Sequence, residues 1–273
     1  LRYAPASALG VNALHIDLAG LFDDIVKAAI ESGDCSPADV VSGLHEAEEF
    51  LGFNPRDDLL ELLDGEFVLV SGAVDKTEAL PALAEALNVA VIVGLRDPAQ
   101  FESFLDELTH RFGLRATQHT EEYEGVTIQS QKIFMVPVPI CYAVMDDMLV
   151  LSGAPSMVKE IIHQRNTPAA PKLVELPAYR DAVAVLRPGY GLLGYSDAAA
   201  NMKSLLRFLD NAPQMFGHGR LMDHGPMLDA AILDWLDQLP LPDESVVDKY
   251  FHGGTATALT VDESGITLES AGP

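Results

Sequence analysis

Ala86 to Gly113 reads ALNVAVIVGLRDPAQFESFLDELTHRFG. Val89 to Leu95 is a near-continuous apolar run rich in β-branched residues, the pattern of a buried strand. Arg96-Asp97-Pro98 then ends the strand and opens a helix. Asp97 suits the N-cap, and Pro98 suits the first helical position, where its missing N–H costs nothing. Phe101, Phe104, Leu105, Leu108 and Phe112 follow at helical spacing, and Gly113 closes the helix. The helix is expected to bury Phe101, Phe104, Leu105 and Leu108 against a sheet.

The same strand, polar turn and amphipathic helix recur in Leu14–Ile30, Leu149–Gln164 and Leu192–Leu209. Toward the N-terminus, Ala8–Leu18 reads as a strand. Asp17 then starts a helix through Ile30 that Ser32-Gly33-Asp34 ends. Ser36-Pro37 caps a second helix to about Leu51, whose exposed face carries Glu46, Glu48 and Glu49. Gly52-Phe53-Asn54-Pro55 breaks it, and a short helix follows through Leu63. Asp64-Gly65 reads as a turn before a strand at Glu66–Ala73, and Thr77–Ala86 reads as a short helix.

Toward the C-terminus, the polar Arg115–Glu124 stretch reads as a loop. Val126–Gln131 reads as a strand, and Pro137 and Pro139 demote Ile133–Val138 to an edge or bulged piece. Ile140–Met145 and Met148–Ser152 form the clearest hairpin, around Asp146-Asp147. Ala154-Pro155-Ser156 opens a helix over Met157–Gln164. The three-proline stretch Asn166–Pro177 reads as a connector. A helix at Tyr179–Val185 and a strand at Tyr190–Tyr195 come next, then a helix at Ala198–Leu209 capped by Ser196-Asp197. Asn211–Gly225 reads as irregular, Met227–Leu239 and Ser245–Tyr250 as helices, and Thr255–Val261 with Ile266–Ser270 as a final hairpin.

Strands that come in hairpins rather than at βαβ spacing predict an α+β fold with a largely antiparallel sheet and packed helices. Two related lobes, 1–165 and 178–273 about a connector at 166–177, would explain the repetition; one continuous curved sheet is the alternative.

The chain carries 17 Lys plus Arg against 41 Asp plus Glu, a formal charge of −24 that argues against nucleic acid or an anionic membrane as partner. No apolar run reaches the roughly 20 residues of a membrane span. The first residue, Leu1, is not Met, as expected of a processed or truncated product whose export signal or anchor lies upstream. Cys35 and Cys141 have no metal-ligand spacing. Either a disulfide or free thiols fit the pattern, and Cys141, in a strand-like apolar run, is expected to be buried and unpaired with Cys35.

Motifs spanning nearly the whole chain resemble an uncharacterised family of bacterial extracytoplasmic domains, common in planctomycete-type envelopes. They are Tyr3-Ala4-Pro5-Ala6 with His15-Ile16-Asp17-Leu18, Gly52-Phe53-Asn54-Pro55-Arg56-Asp57-Asp58, Tyr123-Glu124-Gly125-Val126, Ala143 to Val150, and the closing Gly265 to Ser270. The resemblance implies an exported, often membrane-tethered protein. It brings no activity, cofactor or catalytic residue.

Gly217 to Gly225 is the one dense run of metal-capable side chains. His218, Asp223 and His224 can supply two imidazoles and a carboxylate, with His252 a more distant nitrogen. The plainer reading is a solvated, glycine-flanked loop. The pairs Asp23-Asp24, Asp57-Asp58 and Asp146-Asp147 lack the alternating ligands of a calcium loop and read as helix starts and a hairpin turn. Gly-x-Ser-x-Gly, Gly-x-Gly-x-x-Gly and the phosphate-binding Gly-x-x-x-x-Gly-Lys pattern are absent from the sequence. Met202, Met215, Met222 and Met227 read as core filler before they read as a groove. No catalytic or cofactor-binding residue is assigned. Two functions follow: a non-catalytic extracytoplasmic protein-interaction or envelope module, and, as the alternative, a metal-assisted hydrolase using the 217–225 loop. The contact face of the first is expected near Asn211–Gly225.

Overall fold

Val89–Leu95 is strand β3, and it lies at the middle of a ten-stranded sheet ordered β10-β9-β8-β1-β2-β3-β7-β6-β5-β4. The computed structural model describes residues 1–72, 88–114, 118–131, 139–217, 238, 240–251, 253–262 and 265–272. The other strands are β1 (Ala8–His15), β2 (Leu63–Gly72), β4 (Gln118–Tyr123), β5 (Val126–Gln131), β6 (Ile140–Met145), β7 (Met148–Ser152), β8 (Leu192–Asp197), β9 (Gly254–Asp262) and β10 (Gly265–Ala271). Every pairing between neighbours is antiparallel, and the sheet is open at β10 and β4. The fold is α+β, as the hairpin spacing predicts. Strand β8, which follows the 166–177 connector, pairs with β1, so strands from both ends of the chain share one sheet.

Seven helices connect these strands among the described residues: α1 (Leu18–Ser32), α2 (Pro37–Leu51), α3 (Pro98–Arg111), α4 (Pro155–Asn166), α5 (Pro177–Ala184), α6 (Ala198–Gly217) and α7 (Glu244–Tyr250). Their starts follow from local chemistry. Asp17 accepts from the Gly20 N–H and Asp97 from the Gln100 N–H, while Ser36 and Asp39 form a reciprocal capping box. Gly33 and Gly52, at φ +83° and +82°, close α1 and α2 in the left-handed conformation that glycine adopts without strain.

Alternating side chains divide the core in two. On one face Val68, Val70, Ala90, Ile92, Ala143, Val150, Leu193, Ala256 and Ala258 meet Met157, Val158, Ile161 and Ile162 of α4, and Tyr179 and Ala182 of α5. On the other, Leu63, Val93, Leu95 and Leu149 meet Phe101 of α3, with Leu18, Phe67, Phe104 and Leu105 at the margin. The first cluster is the larger. Ile161 and Ile162 are fully buried, and α4 packs on β3, β5, β6 and β7.

The structure corrects several sequence expectations. Helix α3 buries Phe101, but Phe104, Leu105 and Leu108 are only half-buried and Phe112 is exposed, so α4 rather than α3 seals the centre of the sheet. Asp64-Gly65 is not a turn. It is a bulge inside β2, where the register shifts between Leu63 and Phe67 and Gly65 sits at φ +95°. Gln118–Tyr123, expected as loop, is edge strand β4, joined to β5 by the Glu124-Gly125 turn with both residues at positive φ. The helix expected to end at Leu209 runs to Gly217, which overturns an irregular Asn211–Gly217. Asp23-Asp24 lies inside α1 rather than at its start.

The connector is built into the fold. Leu173–Glu175 forms a turn of 3-10 helix, Leu173 is fully buried, and Lys172 bridges to Pro5. The pieces expected at Thr77–Ala86, Ile133–Val138 and Met227–Leu239 lie wholly or almost wholly outside the described residues. Both cysteines are free, and Cys141 is buried on β6, as expected.

Candidate functional site

His218, Asp223, His224 and His252 lie outside the described residues; Gly217 before them is the last residue of α6. Among the described residues no three His, Cys, Asp or Glu side chains converge on a point where a metal ion could sit. Each acidic pair has a structural place. Asp23 takes both Nε (3.0 Å) and an Nη (2.7 Å) of Arg56, whose other Nη reaches Asp57 (3.0 Å) and Glu61 (2.5 Å). Glu61 also meets Arg96 at 3.3 Å. Arg56 thereby ties α1 to the π-helical turn Pro55–Leu59. The bonds to Asp23, Glu61 and Asp57 raise its pKa, and the Arg56 bond lowers that of Asp23.

Asp146 and Asp147 form the β6–β7 turn, with Asp146 at φ +45°. Asp146 accepts a forked contact from Arg165 of α4, with Nε at 2.7 Å, and Asp147 accepts both its bonds from Arg2 at 2.7 and 2.8 Å. The Arg165 bond holds Asp146 below the usual carboxylate range. Two further contacts pin α4 to the β4–β5 hairpin: Lys159 to Glu121 at 2.7 Å and His163 Nδ1 to Glu124 at 2.9 Å. The Glu124 bond raises the His163 pKa. These are exposed, modest interactions one by one. Their collective effect is to fix the angle of α4 over the sheet.

A groove of about 750 Å³ lies between α3 and strands β5 and β6. Its hydroxyls are committed to the scaffold. Ser103 donates to the Ala99 carbonyl (3.0 Å), Thr127 to its cross-strand neighbour Glu122 (2.5 Å), and Tyr142 to Gln129 Oε1 (2.6 Å). Burial, with the nearby Asp106 charge, pushes the Tyr142 phenol up, so it stays protonated. A nucleophile held by a base, and the base held by a third group, is the arrangement that covalent catalysis needs. The groove's described side chains do not form one.

A second, smaller hollow of about 300 Å³ sits over β9, β8, β1 and β2. Two rows of paired residues, Ser196 with Gly10 and Thr255, and Gly194 with Asn12 and Thr257, make its floor uncharged, and the two glycines make it concave.

The two edges of the sheet differ sharply. Edge strand β4 presents His119, Thr120, Glu121 and Glu122 to solvent. Charges of this kind guard an edge against adding another strand. Edge strand β10, Gly265-Ile266-Thr267-Leu268-Glu269-Ser270-Ala271, has one charge, Glu269, which Arg187 neutralises at 2.8 Å. On its outer face Ile266 (75% exposed) and Leu268 (68%) stand beside Val261 (67%) of β9, and Ile266 pairs directly with Val261. This apolar strip stands on an open edge of the sheet. The sequence signal was present in the alternation of Ile266 and Leu268 with Thr267 and Glu269; what it lacked was any mark that no helix among the described residues covers that face.

Comparison of the chain with protein-family models, with curated proteins and with solved structures gave no match.

Proposed function

We propose that this chain is a non-catalytic protein-interaction module of the bacterial cell envelope, working outside the cytoplasm, and that it makes its contact along the β9–β10 edge. The observation that carries this reading is the apolar strip of Val261, Ile266 and Leu268 on an open strand, in a molecule of charge −24 whose other edge is charged. Association by strand addition uses such an edge: backbone groups supply hydrogen bonds, and the exposed side chains on one face supply burial. The acidity supports a partner other than nucleic acid or an anionic lipid surface. The envelope location rests on the sequence resemblance.

The test is a photo-crosslinking side chain placed at position 268, with the same group at position 121 on β4 as control, in cells of the source organism. Crosslinks to protein from 268 but not from 121, in an extracytoplasmic fraction, are expected. Silence at 268, or equal capture at both positions, would refute the edge as the contact surface, and a cytoplasmic location would refute the envelope reading.

A further inference from the structure

We infer that the 300 Å³ hollow over β9, β8, β1 and β2 is a binding site for one neutral sugar ring; the inference is independent of the β9–β10 edge and of any partner there. Gly194 is the starting point. It lies inside strand β8, paired on one side with Asn12 of β1 and on the other with Thr257 of β9. Glycine in a strand interior costs backbone entropy and packs nothing. Where it occurs it marks a bulge, a bend, or a close approach by another backbone or a ligand.

The first three explanations fail at Gly194. Its φ is not positive, and β8 keeps an even register with both β1 and β9. Among the described residues, a Cβ built there would meet only the Asn12 Oδ1 at 2.9 Å and the Thr257 carbonyl at 3.8 Å. Asn12 is exposed, so its side chain is able to swing aside. Gly10 is different. A Cβ there would press on the Tyr195 backbone carbonyl at 2.8 Å, where the β1–β2 register shifts, so that glycine serves the fold. What Gly194 leaves is open space on a sheet face, and the hollow is that space.

The lining gives the chemistry of the ligand. No charged side chain borders the hollow among the described residues, in a chain with 41 acidic and 17 basic ones. Strand alternation turns Asn12, Ser196, Thr255 and Thr257 to the same face. Some polar groups are committed: Asn201 Nδ2 donates to the Leu9 carbonyl (2.8 Å) and to Ser196 Oγ (3.1 Å), and Ser71 Oγ donates to the Gly10 carbonyl (3.2 Å). The Asn12 amide and the Thr255 and Thr257 hydroxyls make no hydrogen bond among the described residues. A ligand that displaces water from these three must replace the bonds that water gives them.

Other ligand classes fit worse. An anion finds no cation here, and a chain of charge −24 repels it. A cation finds no carboxylate in the lining, and Asp197, next to Ser196, is used in capping α6 at the Ala200 N–H (2.8 Å). An apolar molecule would strip water from Asn12, Thr255 and Thr257 and return no hydrogen bond. A ring of hydroxyls returns them all, because each hydroxyl both donates and accepts. Leu192 adds an apolar contact for the C–H face of such a ring. The volume lies at the lower end of the range of small-molecule sites, which limits the ligand to one ring, either free or at the end of a glycan.

The probes are D-glucose, D-galactose, D-mannose and N-acetyl-D-glucosamine, each also as its methyl glycoside, with glucosamine and glucuronate as charged controls. Each is titrated to roughly 50 mM into the purified, nitrogen-labelled chain, and backbone amide chemical shifts are read. At least one neutral sugar is expected to shift the Gly194 and Thr257 amides saturably, with a Kd of about 0.1–10 mM, and to leave Glu121 on β4 unmoved. Gly194→Val, whose side chain suits a strand and fills the hollow, weakens that binding at least about tenfold while the thermal midpoint holds. Thr257→Val keeps the shape, removes one hydroxyl and weakens it about fivefold. A methyl glycoside that binds as well as its parent assigns the site to a glycan end, and one that does not assigns it to the free sugar. No saturable shift with any neutral sugar, binding that both variants leave intact, or tighter binding of glucosamine or glucuronate overturns the site. None of these results bears on crosslinking at position 268, so the edge reading stands or falls separately.

Discussion

Ile161→Ala is expected to cost more than Phe104→Ala, although Phe104 is the larger side chain and sits on the helix that the sequence singles out. Ile161 is fully buried on α4 among strands β3, β5, β6 and β7. The change deletes three methyl or methylene groups, worth about 0.8 kcal/mol each in transfer, or roughly 2.4 kcal/mol. The hole is walled by strand residues that cannot close in, and a residual cavity of about 50 Å³ adds about 1.2 kcal/mol. The total is about 3.5 kcal/mol. Phe104 is half-buried at the rim of the smaller cluster, where its ring meets Phe53 edge-on at 4.9 Å and Phe101 at 6.1 Å. Solvent already touches it, and neighbours can relax into the space. Lost burial of about 1 kcal/mol and the loss of the edge-to-face pair, about 1 kcal/mol, give about 2 kcal/mol. Urea titration followed by far-UV dichroism measures both. An Ile161→Ala loss below about 1.5 kcal/mol, or a Phe104→Ala loss at least as large as that of Ile161→Ala, would refute the assignment of α4 as the helix that seals the sheet.

Two further outcomes follow from the titratable groups. Glu124 raises the His163 pKa above its ordinary 6.5, so the folded chain holds that proton more tightly than the unfolded one; the contribution is complete below about pH 6.5 and is lost as pH rises through the folded value. Chemical denaturation between pH 6 and 9 should show this decline (about 3 pH units of sampling around the transition), and Glu124→Gln should flatten it; an unchanged slope would refute the pairing. Burial raises the pKa of the Cys141 thiol, whereas Cys35 is half-exposed, so a thiol reagent at mildly alkaline pH should label Cys35 in the native chain and Cys141 only on unfolding, as peptide mapping would read.

Where local chemistry decides, sequence and structure agree. Asp17, Ser36 and Asp97 cap helices because their side chains reach N–H groups only three residues away. Val89–Leu95, Val126–Gln131 and the Ile140–Ser152 hairpin read as strands because apolar β-branched runs end at turn residues. Failures occur where partners are distant in sequence. Strand β4 has polar residues on both faces, so no alternation marks it; the ladder to β5 makes it a strand. The bulge at Gly65 has the letters of a turn, and only the pairing of β2 with β1 and β3 keeps the chain running straight through it.

The amino-acid sequence alone determined that this chain is α+β with hairpin-linked strands, because capping, turn chemistry and apolar period are properties of neighbours along the chain. It also determined the formal charge of −24. The tertiary structure decided which apolar faces meet. Helix α3 has the more aromatic stripe, yet α4 lies over four strands and takes the deeper burial, since burial depends on what stands opposite. By the same rule Ile266 and Leu268, which by their letters belong to a core, end on an open edge, because β10 is the last strand of the sheet and no helix among the described residues packs over them.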